Sequence, residues 1–144
     1  MDFLGTFDYA MDERGRVPLP PRYRDAFREG IVLSQGSPDA CVRVSTLSAY
    51  REQALDHRAT PATQRRGLVT RRGLFPQSWT AELDKQNRVL IPQALRDYAG
   101  LSTKVLVLGM YDWLEVWDPE AYAEEAVRVA EELPAALESI GPRG

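Results

Sequence analysis

A chain of 144 residues, 44% apolar and 27% charged, is long enough to bury about two thirds of its unfolded surface around a core, and none of its apolar runs approaches the roughly 20 residues that span a bilayer. Acids within the opening "MDFLGTFDYAMDERGR" leave no basic patch and apolar stretch for an export signal, so the chain is expected in the cytoplasm. The net charge of −3 is unevenly spread: residues 112–144 hold nine acids against two arginines, whereas residues 1–111 hold sixteen basic and twelve acidic groups, and the basic part remains able to face a polyanion.

"FLGTFDYAM" reads as a half-buried strand, a charged turn follows, and "RVPLP" reads as a second strand ended by its proline. Proline suits a first helical turn, so "PRYRDAFRE", with apolar residues three to four apart, is expected to be a helix stopped at Gly30. "IVLS" and "CVRV" are the next strands, within which the single cysteine, Cys41, alternates like a small core residue. A helix then ends near His57, a surface residue placed to complement the helix dipole. Residues 58–74 are expected to form a linking segment, helical in part, with Arg58, Arg65, Arg66, Arg71 and Arg72 and no acid. Those arginines are open to three roles, namely phosphate contact, pairing within the chain or with a neighbouring subunit's acidic helix, or plain solvation, and pairing is favoured.

The second half runs in the same order. "FPQSWTAEL" and "RVLIP" are strands, "PQALRDYAG" a helix stopped at Gly100, and "KVLVLG" and "LEVW" two more strands. Asp118 and Pro119 mark a helix start, the pattern is amphipathic to Leu133, and Pro134 is expected to interrupt it and leave a loosely ordered end. Trp79, Trp113 and Trp117, with Tyr50 and Tyr122 on matching helix faces, suit packing better than base stacking.

The likeness of the halves is an internal repeat. At a constant offset of 72, Asp12, Arg16, Val17, Pro20, Arg24 and Asp25 meet Asp84, Arg88, Val89, Pro92, Arg96 and Asp97. The same offset pairs Val44, Ala49, Tyr50, Glu52 and Ala54 with Val116, Ala121, Tyr122, Glu124 and Ala126. Each half therefore carries the whole pattern. The expected organisation is a first module over 1–57, the linking segment over 58–74 and a second module over 75–144.

The repeated turn has the form Asp-x-x-x-Arg. Asp12 and Asp84 can accept hydrogen bonds from amides just ahead of them. Gly15 supplies a positive φ, and Asn87 at the matching place is the other residue type that tolerates one. Spacing alone fits a structural Asp–Arg pair, while Arg14 and Lys85 add charge beyond what a turn needs. Arg16 and Arg88 leave the turns as planar, permanent cations of the kind that contact guanine edges or phosphates in two places at once.

These residues resemble the MraZ family of bacterial transcription regulators. The likeness spans "FLG", "DERGRVPLPPRYRD", "QRRGLVTRRGLF", "DKQNRVLIPQALRDYAGL" and "VLVLGMYDWLEVWD". It implies an α+β fold of tandem, pseudo-symmetric AbrB-like swapped-hairpin β-barrel modules with flanking helices. It also implies a DNA-binding regulator that recognises direct repeats near the promoter of the division and cell-wall gene cluster, as a ring-shaped homo-oligomer of about eight subunits. By position, the DNA-contacting residues are Arg14, Arg16, Lys85 and Arg88, and the loop-shaping residues are Asp12, Gly15, Asp84 and Asn87. Asn87 departs from the family's glycine, and Pro18 stands at a strand position that normally keeps its amide, leaving an unpaired edge near Val17 to Leu19.

Arg16 is thus expected to be the main base or phosphate contact, with Arg14 and Lys85 on phosphates, low affinity per subunit multiplied by the ring, and the acidic tail turned away from DNA. An alternative is an oligomeric protein-interaction scaffold that uses the turns only structurally. An enzyme is disfavoured: one histidine and one cysteine furnish no zinc cluster, and no glycine-rich phosphate loop follows a strand. No cofactor, metal, membrane or small-molecule substrate is expected. Asp12 and Asp84, in equivalent places of two modules, are expected to lie apart.

Overall fold

In the computed structural model, which describes residues 2–141, the strands are β1 (Thr6–Ala10), β2 (Arg16–Pro18), β3 (Ile31–Gln35), β4 (Val42–Thr46), β5 (Trp79–Ala81), β6 (Arg88–Leu90), β7 (Lys104–Gly109) and β8 (Leu114–Trp117). The helices are α1 (Leu47–His57), α2 (Arg65–Leu74), α3 (Gln93–Ala99) and α4 (Pro119–Ile140). Six strands form one antiparallel sheet in the order β1-β7-β8-β4-β3-β5, and β2 and β6 form a separate two-stranded ribbon. Exchanging the halves of the chain reverses the six-strand order and leaves it the same, so the sheet has a pseudo-two-fold axis through β4 and β8. Arg43 opposite Glu115 and Val17 opposite Val89 are both pairs of residues 72 apart, and they mark where that axis passes.

The first strand of each half pairs with a strand of the other half: Phe7 lies opposite Val107 and Trp79 opposite Leu33. One continuous core results, in which Val17, Leu19, Leu33, Val44, Val89, Ile91, Val107 and Val116 are all buried. Alternation puts Val17 and Val89 inside the ribbon and leaves Arg16, Pro18, Arg88 and Leu90 on its outer side. Leu19 donates its amide to Asn87 and Ile91 donates to Gly15, so the missing amide of Pro18 falls on the ribbon's free edge.

The start of the chain is fixed by aromatic packing. Phe3 is fully buried, edge-on to Tyr23 at 4.8 Å and stacked on Phe27 at 5.3 Å. The Tyr23 hydroxyl both donates to the Leu4 carbonyl and accepts from the Leu4 amide. Gly109 permits this approach, because a Cβ there would stand 2.5 Å from the Leu4 backbone. Gly109→Ala is expected to cost about 1–3 kcal/mol, since backbone cannot rotate out of the way as a side chain can; a urea unfolding midpoint below that of the parent checks it.

Three local expectations need correction. Residues 20–29 form two 3-10 turns, Pro21–Tyr23 and Asp25–Phe27, and not an α-helix. Pro20 and Pro21 both lack an amide, and bulky Tyr23 and Phe27 stand where α3 has Leu95 and Ala99. "FPQSWTAEL" keeps only Trp79–Ala81 as strand, because Phe75–Gln77 is a 3-10 turn that continues from α2. Pro134 does not interrupt α4, which runs on to Ile140. That end of the helix is exposed throughout, so the Ala130 carbonyl that Pro134 cannot meet is left to water. The favoured pairing of the linker arginines is also absent within the chain: among the described residues no ion pair involves Arg58, Arg65, Arg66, Arg71 or Arg72.

Tyr50 donates to Ser78, while Tyr122 packs edge-on against the buried Trp117. Trp113 lies under the Arg43 guanidinium, 3.9 Å from it, and both Trp113 and Trp117 donate their indole N–H to Glu115. Cys41 is buried, and burial raises its thiol pKa far above the ordinary range, so it stays a neutral core group. Among the described residues no helix is long and apolar enough to cross a membrane.

Candidate functional site

Each turn is built by its aspartate. Asp12 accepts from the amides of Arg14 and Arg16, at 3.0 and 2.8 Å, through one oxygen, and from Arg16 Nε at 2.6 Å through the other. Asp84 repeats this with the amides of Gln86 and Arg88, each at 2.9 Å, and with Arg88 Nε at 2.9 Å. The fourth residue of each turn has a positive φ, +89° at Gly15 and +63° at Asn87. The two conformations match because glycine has no Cβ to clash, and asparagine is the side chain that most readily adopts this region. Asn87 also donates from Nδ2 to the Leu19 carbonyl at 2.7 Å, tying the second turn to the end of β2.

Antiparallel pairing of β2 with β6 sets each turn beside the exit of the other strand. Arg16 lies opposite Leu90 and Arg88 opposite Pro18, which makes the two arginines diagonal neighbours on one face, with Cα atoms roughly 7–8 Å apart. Asp12 and Asp84 are therefore not far apart in separate modules, which corrects the expectation from their positions in the repeat. Arg88 Nη1 comes within 3.5 Å of Asp12 Oδ2, so the turns form a single cluster. The side chains of Arg16 and Arg88 keep 31% and 24% of their exposure. Pairing through Nε leaves the Nη edge of Arg16 without a partner among the described residues, and that edge can make a bidentate contact.

Around the cluster Arg14 and Lys85 are exposed at the tips of the turns. Glu13 occupies the place that matches Lys85, so the two tips are not equally basic. Arg96 is a member that motif reasoning missed. Its Nε donates to the Ile91 carbonyl at 2.9 Å, and its guanidinium lies where a Cβ on Gly15 would fall, 2.6 Å from that point. The signal was present in the repeat, since Arg96 and Arg24 match at the same offset as the turns; only Arg96 is half-buried here, and Arg24 is exposed.

The amide of Arg16 donating to Asp12, followed by the side-chain and further amide bonds of the turn, holds the Asp12 carboxyl down at about 2, and the Arg88 amide lowers Asp84 in the same way. A carboxyl depressed in the folded state stabilises above its ordinary value of 3.8 and loses that contribution as pH falls through about 2. Asp12→Asn is accordingly expected to melt lower than the parent at pH 7, with the gap closing on acidification from about pH 4 to pH 2. Melting temperatures across that range, followed by circular dichroism, check it.

The arrangement provides permanent positive charge on a rigid, solvent-facing ribbon, with carboxylates fixing its direction. It offers no nucleophile paired with a base. Residues 74–137 match the family model described as "MraZ protein, putative antitoxin-like". The chain is 31% identical to the "Transcriptional regulator MraZ" of Dehalococcoides mccartyi (strain BAV1), over 96% of this chain and 97% of the relative. It is 40% identical to the protein of that name from Nocardioides sp. (strain JS614), over 86% and 85% of the two chains. A third relative of the same name, from Thermomicrobium roseum, is 33% identical over 96% of both. With the repeated turns, the shared sheet and relatives matched along nearly their whole length, the chain belongs to the MraZ family.

Proposed function

We propose that the chain is a sequence-specific DNA-binding transcriptional regulator, that the outer face of the β2–β6 ribbon is its reading surface, and that it acts in the cytoplasm at the nucleoid. The observation that carries this reading is the pair of partly exposed arginines, Arg16 and Arg88, fixed side by side by Asp12 and Asp84 on one rigid face. A two-stranded ribbon is one of the elements that fit the major groove, and arginine is the side chain that most often reads guanine there. The names of the relatives support a role in transcription. Arg14 and Lys85, exposed at the tips, contact the flanking phosphates, while Asp12, Gly15, Asp84 and Asn87 set the loop shape.

The exchange of first strands between halves supports reading residues 1–57 and 75–144 as two AbrB-like swapped-hairpin modules joined by residues 58–74. One subunit offers few cations, so its grip on DNA is weak. A ring of about eight subunits makes the later contacts intramolecular, and direct repeats upstream of the division and cell-wall gene cluster are the matching target. Footprinting across the protein's own genome tests the proposal. Protection of direct repeats at one helical phase supports it, and protein spread evenly over DNA without protected sites overturns it.

A further inference from the structure

The outer side of the β2–β6 ribbon carries more than its arginines. Its outward positions are Arg16, Pro18, Arg88 and Leu90, two permanent cations and two apolar residues. The Leu19 amide donates to the Asn87 carbonyl and the Ile91 amide to the Gly15 carbonyl. The alternation of an antiparallel ladder then makes Arg16–Leu90 and Pro18–Arg88 the pairs without mutual hydrogen bonds. Side chains stand closest in pairs of that kind, with Cβ atoms roughly 4.5–5.5 Å apart. Leu90 therefore rises directly beside Arg16, and it is 53% exposed.

A single exposed leucine is ordinary on a protein surface. The setting of this one is not. Asp12 and Asp84 hold the arginines on the same face, so a duplex edge that meets Arg16 and Arg88 also meets Leu90. Base pairs stack about 3.4 Å apart, and a side chain roughly 5 Å from Arg16 falls on the adjoining base pair. Leucine neither donates nor accepts a hydrogen bond. Against the amino group of cytosine or adenine it displaces water and offers no replacement, which disfavours those bases. Thymine instead presents its 5-methyl group in the major groove, and burying that group against a leucine is favourable.

The pseudo-two-fold axis near Val17 and Val89 exchanges Arg16 with Arg88 and Pro18 with Leu90. Two arginines alone read a site equally well in either orientation, as a palindrome is read. A direct repeat has a direction. Leu90 supplies one to the ribbon, because Pro18 at the matching place is ring-closed and half-buried.

We propose that Leu90 is a specificity-determining residue, which selects thymine next to the guanine read by Arg16 and so fixes the orientation of the ribbon on each repeat. The inference rests on the ribbon being the DNA-reading surface proposed above.

A deoxyuridine scan tests it. Deoxyuridine lacks only the 5-methyl group of thymidine and keeps its O4 and its base pairing. In duplexes carrying the protected repeats, each thymine position is replaced in turn in every repeat, and binding is followed by fluorescence anisotropy. At one position, beside an essential guanine, the parent is expected to bind about fourfold more weakly per engaged repeat once the methyl is gone. The factor is expected to be the same at low and raised salt, since no charge is involved. Leu90→Ala is expected to bind the thymine and deoxyuridine duplexes alike; Leu90→Gln, which keeps a long side chain, replaces it if the alanine variant folds poorly. A parent indifferent to every replacement overturns the inference and leaves the arginine reading in place. An equal loss in the Leu90 variant also overturns it, by tracing the effect to duplex shape. So does a repeat with no thymine beside an essential guanine. A parent that protects no repeat overturns the DNA-reading function and this inference together.

Discussion

Replacing Arg16 and Arg88 together with alanine is expected to abolish the proposed sequence-specific DNA binding and to leave the protein folded. A bidentate arginine contact to guanine contributes about 1–3 kcal/mol of discrimination, and the two arginines lie on one ribbon, so each subunit loses both at once. In the proposed ring the loss would be multiplied, since every engaged loop is weakened alike. Either single replacement is expected to weaken binding by roughly 10- to 100-fold per engaged subunit on the same scale. The fold tolerates the change because the arginines stand on the outer face, opposite the buried Val17 and Val89, and each aspartate keeps its two backbone amides. Fluorescence anisotropy on a labelled operator, beside a melting curve for each variant, separates the loss of contact from loss of structure.

Phe3→Ala has the largest expected effect on stability. Its ring is fully buried between Tyr23 and Phe27, and truncating a buried phenylalanine costs about 3–5 kcal/mol. The loss spreads, because the Phe3–Tyr111 bridge and the Tyr23 bonds to Leu4 hold the start of the chain over Gly109. Leu4→Ala is the contrast: the Leu4 side chain is 58% exposed and its useful groups are on the backbone, so substitution is expected to cost about 0.5 kcal/mol or less. Urea unfolding of the two variants measures the difference between neighbours that look alike in sequence.

The turns were legible from residue types. Aspartate four residues before arginine, with glycine or asparagine between, selects a backbone that few other combinations accept, and the positive φ at Gly15 and Asn87 follows from that. The repeat was legible too, and with it a pseudo-symmetric sheet. Which strand pairs with which was not. When two halves share a pattern, β1 can pair within its own half or with the equivalent strand of the other, and alternation of apolar residues satisfies both. That ambiguity hid the closeness of the turns, because only the β2–β6 pairing brings Arg88 to Asp12. The Pro134 expectation failed for a different reason. The helix runs on through Pro134 to Ile140 with that end exposed, so the Ala130 carbonyl that loses its amide partner is left to water. Arg96 lies outside the motif and joins the first turn only through the fold, so spacing alone does not reveal it.

Paired arginines on a rigid ribbon are proposed to read repeated DNA weakly per subunit and strongly in number. Titrating the parent protein against duplexes carrying one, two and four copies of the operator repeat, each at 50 and 200 mM salt, addresses it directly. The predicted result is affinity that climbs steeply with repeat number and falls by about 10³-fold or more between the two salts on the longest duplex. Equal affinity for one repeat and for four, unchanged by salt, would contradict it.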